Sequence, residues 1–217
     1  MPLLIFDLDG TLIDSKQDLV QAVNAARRRM HLAPLDNDTV ASYVGNGAPV
    51  LIRRAMGPQA TEEQCREALE YFYEFYREHM LDHTRLYPGV REALDQLHAA
   101  GMPMAVLTNK PVRFSRGIIE GLGVAGHFFQ VYGGNSFEQK KPHPVGVETL
   151  MSEAHAGRAE TLMIGDSAVD IQTARNAGVR AVGVTWGLQP ESLEQVPPDH
   201  VIRDMRELVP LVKNGSR

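Results

Sequence analysis

A chain of 217 residues, with 43% hydrophobic, 23% charged and 6% aromatic residues, is long enough to bury a sizeable core and is not a disordered, collagen-like or fibrous sequence. Its formal charge of -5, from 22 Lys and Arg against 27 Asp and Glu, argues against a nucleic-acid partner. The single cysteine, Cys65, has no mate for a disulfide or a thiolate zinc site. No signal peptide and no apolar run of about 18 residues is visible, so a cytoplasmic chain without a membrane partner is expected.

The first apolar run, Leu3 to Phe6, is continuous rather than alternating, as in a strand buried on both faces of a parallel sheet. From Lys16 to about Leu81 no strand pattern occurs. The spacing is helical instead, through Leu19, Val23, Ala26 and Met30 and again through Cys65, Leu69, Phe72, Tyr76 and Met80. Pro34 and Gly57-Pro58 punctuate this insertion, and Pro88-Gly89 marks the return to the earlier pattern. Further strands are predicted at Met104 to Leu107, Phe128 to Tyr132, Leu162 to Ile164 and Ala181 to Val184, with helical patterns between them. Strand alternating with helix predicts an α/β fold with a doubly wound, mainly parallel sheet. Cys65 and the aromatics Phe72, Tyr73, Phe75 and Tyr76 read as helix packing. Arg27 to Arg29 read as a solvated face, and Lys213 to Arg217 as a frayed tail.

The chemistry-bearing residues gather where the predicted strands end, the edge on which open α/β sheets place their ligands. Asp7 and Asp9 stand at i and i+2, on one side of an extended chain. Two like charges so close imply a bound cation or a retained proton. Thr108 and Asn109 end the second core strand, Lys141 sits among prolines before the next helix, and Asp166 and Asp170 follow Gly165. Each feature alone also serves as a helix cap, a solvated turn or a surface lysine. Jointly they offer oxygen ligands for a hard cation such as Mg²⁺ and cationic or hydroxyl partners for an anion, the inventory of phosphoryl transfer.

The ordered set Asp7-x-Asp9-Gly10-Thr11, Thr108, Lys141 and Gly165-Asp166-Ser167-x-x-Asp170 resembles the signatures of the haloacid dehalogenase-like hydrolase superfamily over essentially the whole chain. The resemblance implies a core of residues 1–15 and 83–217 with a helical cap of residues 16–82, flexing near Asp14-Ser15 and Leu81 to Arg85. It further implies Asp7 as the nucleophile that becomes an aspartyl phosphate and Asp9 as general acid and base. Thr108 and Lys141 would bind phosphoryl oxygens. Mg²⁺ would be held by Asp7, the Asp9 carbonyl and Asp166, with Asp170 in support. Dehalogenases of the superfamily do not use the second aspartate, so Asp9 favours phosphate chemistry.

The stretch Tyr43-Val44-Gly45-Asn46-Gly47, with Phe6 to Ser15 and Lys141 to Pro144, resembles bacterial phosphoglycolate phosphatases. That implies a small phosphorylated metabolite, 2-phosphoglycolate, whose carboxylate is read by Gly45, Asn46 and Gly47 with help from Arg53 or Arg54, while the Asn109 amide beside Thr108 could bond an anionic oxygen. A β-phosphoglucomutase-like phosphotransferase, a pyrophosphatase or a nucleotidase shares the same signatures. A phospho-acceptor receiver domain shares the acidic cluster but needs only about half the length. Monomer and homodimer both remain open.

Overall fold

The computed structural model of the protein describes residues 1–214. In chain order its strands are β1 (Leu3–Phe6), β2 (Ile13–Asp14), β3 (Arg85–Leu86), β4 (Met104–Leu107), β5 (Gln130–Tyr132), β6 (Thr161–Gly165), β7 (Arg180–Val184) and β8 (His200–Ile202). The helices are α1 (Lys16–Arg29), α2 (Asn37–Tyr43), α3 (Ala48–Met56), α4 (Glu62–His79), α5 (Val90–Ala99), α6 (Val112–Gly121), α7 (Val145–Glu153), α8 (Ala168–Ala177) and α9 (Leu208–Asn214).

Six strands form one parallel sheet in the order β5-β4-β1-β6-β7-β8. The continuous apolar runs are explained by its two covered faces. Successive side chains of a strand point to opposite sides. Leu4, Phe6, Val106 and Ile164 therefore pack on one face with Val90, Leu94 and Ile118 of α5 and α6. Leu3, Ile5, Ala105 and Met163 pack on the other with Val147, Leu150, Ile171 and Ala174 of α7 and α8. Burying each of these side chains contributes about 1.5–3 kcal/mol. Truncating the fully buried Ile5 to Ala would remove roughly 2–5 kcal/mol.

The sheet order does the positioning. β1 lies between β4 and β6, with Phe6 opposite both Val106 and Ile164. The residues that follow the three strands therefore emerge side by side.

Helices α1 to α4 lie between β2 and β3, with α1 packed along α4 and α3 on α4. The two chain crossings into this helical layer are themselves paired: β2 and β3 run antiparallel, with Ile13 opposite Leu86 and Asp14 opposite Arg85. A second tie lies just beyond. The buried Asp18 of α1 accepts from the backbone N–H of His83 (3.0 Å) and Thr84 (2.8 Å) and from the Thr84 hydroxyl (2.7 Å).

The observed strands depart from the expected ones in places. β5 begins at Gln130 because Phe128 turns into the core, meeting Phe6 edge to face at 6.2 Å. β8 and the two-residue strands β2 and β3 are additional. The expected fraying from Lys213 begins too early, since α9 carries the chain through Asn214, anchored by the buried Leu208, Val209 and Val212. Residues 215–217 of that tail lie outside the described residues. Among the described residues no helix is long and apolar enough to cross a membrane.

Candidate active site

Asp7 follows β1, Asp166 follows β6, and Asp170 sits in the first turn of α8. One carboxylate oxygen from each lies within 4.8 Å of the others, and all three residues are buried. The Lys141 ammonium is 2.7 Å from Asp7 Oδ1 and 2.6 Å from Asp170 Oδ1. The backbone does much of the fixing. Asp170 Oδ2 accepts from the N–H (3.1 Å) and hydroxyl (2.7 Å) of Ser167, closing the capping box of α8. Asp166 accepts from the N–H groups of Leu188 (2.8 Å) and Gln189 (3.3 Å) and from the Thr11 hydroxyl (3.3 Å). Gly10, at φ +84°, lets the chain turn where a Cβ would collide with the Asp166 carboxylate.

Three buried carboxylates facing one ammonium leave an excess of negative charge. Burial, assisted by Asp170 and opposed by Lys141, pushes the Asp7 carboxyl up to about 6. Burial and the charges of Asp170 and Asp7 push Asp166 up to about 8, against the two backbone N–H bonds it accepts. Burial also works against the Lys141 ammonium, but Asp170 and Asp7 outweigh it and hold this group above the ordinary lysine range. Asp7 Oδ1 has this one ammonium for a partner and shares it with Asp170 Oδ1. An all-oxygen donor set with surplus negative charge fits a hard divalent cation.

Asp9 stands apart from this cluster. Its carboxylate accepts from the Ser15 hydroxyl (2.5 Å) and is paired with the Lys110 ammonium at 3.0 and 3.2 Å. Lys110 also donates to the Tyr76 hydroxyl at 2.7 Å, reaching from the end of β4 to a side chain of α4. Burial disfavours its charge, but Asp9 and Tyr76 more than offset this and raise its pKa. Burial in turn pushes the Tyr76 phenol up to about 12. Thr108 is buried beside them and accepts from the Lys110 N–H at 3.3 Å.

A cavity of about 50 Å³ lies between the sheet edge and the helical layer. Asp7, Asp9, Asp166, Thr108, Asn109 and Lys110 form its polar wall, and Leu51, Phe72 and Phe114 are among its apolar lining. Gly45 and Gly47 border it from the insertion. Three core side chains grip the backbone of this insertion loop. Asn109 Nδ2 donates to the Gly45 carbonyl (2.9 Å), and Lys140 Nζ donates to that of Asn46 (2.6 Å). Gln189 Nε2 reaches those of Ser42 (3.0 Å) and Val44 (2.8 Å).

Lys141 and Asp170 join the acidic cluster but do not themselves border the cavity, Lys141 being held on Asp7 and Asp170, and two further candidates from the sequence are placed elsewhere. Arg53 does not border the cavity; it lies on the outer face of α3, whose Leu51, Ile52 and Ala55 point inward, and is paired with the exposed Glu62. Asn46 is likewise outside the cavity lining and contributes only its carbonyl, to Lys140. Lys110, Ser15, Tyr76, Lys140 and Gln189 were not singled out as site residues from the sequence. Lys110 had one available signal, its place directly after Thr108-Asn109. Ser15 closes the stretch Phe6 to Ser15 and Tyr76 lies on the apolar stripe of its helix, but neither is marked there as a site residue, and Lys140 and Gln189 carry no motif.

Residues 4–184 match the haloacid dehalogenase-like hydrolase family, and the chain belongs to that family. Among its curated relatives, the phosphoglycolate phosphatase of Vibrio parahaemolyticus serotype O3:K6 is 41% identical over 97% of this chain and 95% of its own. That of Chromobacterium violaceum is 38% identical over 97% and 96%. A crystal structure of a predicted phosphoglycolate phosphatase from Haemophilus somnus 129PT superposes with a TM-score of 0.92 at 33% identity, covering 97% of each chain.

Proposed function

We propose that this protein is a cytoplasmic, Mg²⁺-dependent phosphatase that hydrolyses a small phosphate monoester, 2-phosphoglycolate, to glycolate and phosphate. The observation that carries the reading is the convergence of Asp7, Asp166 and Asp170 with Lys141 at one sheet edge, beside a second aspartate, Asp9, held on its own cation. Phosphoryl transfer needs a positioned nucleophile, neutralised oxygens and a proton donor at the leaving group, and these groups supply all three.

Asp7, at the cavity wall, attacks phosphorus in line and forms an acyl phosphate. Asp9, two residues on, enters the step as the carboxylic acid, gives its proton to the leaving oxygen, and as the carboxylate then takes one from the water that cleaves the acyl phosphate. Asp7, Asp166 and the Asp9 carbonyl would hold the divalent ion, with Asp170 and Lys141 fixing their orientation. When bound, that ion neutralises phosphoryl charge. Thr108 offers its hydroxyl to a phosphoryl oxygen from the neighbouring strand end. Residues 16–82 act as a cap on the core of 1–15 and 83–217, bending at the paired junctions β2 and β3 and excluding water when closed.

The substrate is supported by the relatives' names. The test is phosphate release with Mg²⁺ across a panel of esters. A kcat/KM for 2-phosphoglycolate at least tenfold above any sugar phosphate is expected, and equal turnover across the panel contradicts the substrate. Conversion of glucose 1-phosphate to glucose 6-phosphate without phosphate release would instead establish a mutase.

A further inference from the structure

We infer that the Lys110 ammonium is the group that binds the substrate's carboxylate and so determines specificity. The inference deepens the phosphatase reading and rests on it. A second anion entering this cavity meets Asp7, Asp9 and Asp166 on the wall, and like charges at such range in a half-desolvated site repel it unless a cation answers. Lys110 is the only cationic side chain among the described residues that border the cavity.

The side-chain amides and the other cations near the cavity are engaged. Both hydrogens of the Asn109 amide are used, one on the Gly45 carbonyl (2.9 Å) and one on the Lys141 carbonyl (3.1 Å). Gln189 and Lys140 are spent on loop carbonyls, and Arg53 faces solvent with Glu62. An ammonium has three donors. Lys110 directs its own to both oxygens of the Asp9 carboxylate (3.0 and 3.2 Å) and to the Tyr76 hydroxyl (2.7 Å), so a ligand carboxylate would meet its charge by taking over the longer Asp9 contact.

Position agrees with charge. Asp9 meets the leaving oxygen in the proposed reaction, and Lys110 stands one hydrogen bond beyond Asp9, on the leaving-group side. In 2-phosphoglycolate the carboxylate is one methylene beyond that same oxygen. The Lys110 side chain is only 5% exposed and is braced by Tyr76, so its charge is held in place rather than waving in solvent.

The experiment compares kcat/KM for 2-phosphoglycolate and for ethyl phosphate, which has a methyl where the carboxylate would be, in the wild-type holoenzyme and in Lys110→Met, Lys110→Gln and Lys110→Arg. Both esters lose rate in the variants because Asp9 loses its partner, so the ratio between them is the readout. A charge-assisted contact of this kind predicts that the wild-type preference for 2-phosphoglycolate falls about 100-fold in Lys110→Met and Lys110→Gln, chiefly through KM, and is largely kept in Lys110→Arg. Lys110→Gln retains a donor for Asp9 and Tyr76, so it decides the matter if the Met variant does not fold. A preference that survives in Lys110→Gln overturns the inference alone. A wild-type enzyme that turns over both esters equally overturns the substrate reading, and the inference falls with it.

Discussion

The two walls of the cavity are built on different principles. On the sheet edge every acidic group is a side chain held by strand geometry and by side-chain or backbone donors: Asp166 by Thr11, Leu188 and Gln189, Asp170 by Ser167 and Lys141. On the insertion side the loop of residues 42–46 is held through its own carbonyls, which Asn109, Lys140 and Gln189 grip without regard to side-chain identity. The chemistry is thus tied to particular residues, while loop docking is tied to backbone shape. The contrast teaches that substitutions on the sheet edge should affect the reaction itself, whereas those at the loop should affect its closure.

The sharpest break should come at Asp7. Asp7→Asn keeps size and hydrogen-bonding capacity but removes the nucleophile, and phosphate release should fall by about 10⁵-fold. Its melting temperature should hold or rise, because a buried charge is removed from a crowded cluster. A variant with more than a tenth of the wild-type rate contradicts the assignment.

Removing the divalent ion comes next. In the metal-free protein Asp7, raised to about 6, and Asp166, raised to about 8, bind more protons folded than unfolded between about pH 4 and 8. Stability from these two groups is therefore present at acid pH and lost as pH rises through that window. A cation replaces the protons, so the gain in melting temperature between EDTA and Mg²⁺ should be larger at pH 8 than at pH 5. A larger gain at pH 5 would count against an ion at this cluster.

The loop contacts predict smaller effects. Gln189→Ala removes the donor shared by the Ser42 and Val44 carbonyls, and should raise KM by up to about tenfold, in keeping with about 1 kcal/mol for a lost hydrogen bond. Lys140→Ala, losing one exposed contact, should do less. A Gln189→Ala enzyme with unchanged KM would show that docking does not limit binding. The smallest change is expected from Arg53→Ala, whose exposed ion pair with Glu62 is of the kind worth about 0–1 kcal/mol. Steady-state kinetics should place it within twofold of the wild type, and a tenfold rise in KM would return Arg53 to the site.

The same contrast marks what the sequence could reveal. β1, β4, β6 and β7 are legible because strands buried on both faces must be continuously apolar, and their ends carry the acidic and hydroxyl residues in a fixed order. β8 is not: only Ile202 of its three residues is buried, as befits an edge strand, so it has no apolar run to find. Lys110 is visible as a residue but not as a partner, because its meaning comes from Asp9, 101 positions earlier, and from Tyr76 on another layer. Gln189 and Lys140 act on carbonyls, which every residue has, so no residue type at the loop announces them. Arg53 misleads for the opposite reason, since a basic residue on a helix reads the same whether it faces an anion or water.

The account turns on covalent attack by Asp7, and chemical trapping tests this most directly. Enzyme quenched during turnover of 2-phosphoglycolate with Mg²⁺ and treated with borohydride should carry homoserine at position 7, the reduction product of an aspartyl phosphate, and mass spectrometry of its peptides should find it there and nowhere else. Homoserine at another aspartate, or an unmodified residue 7 in enzyme quenched at saturating substrate with the acyl phosphate rate-limiting, would contradict it.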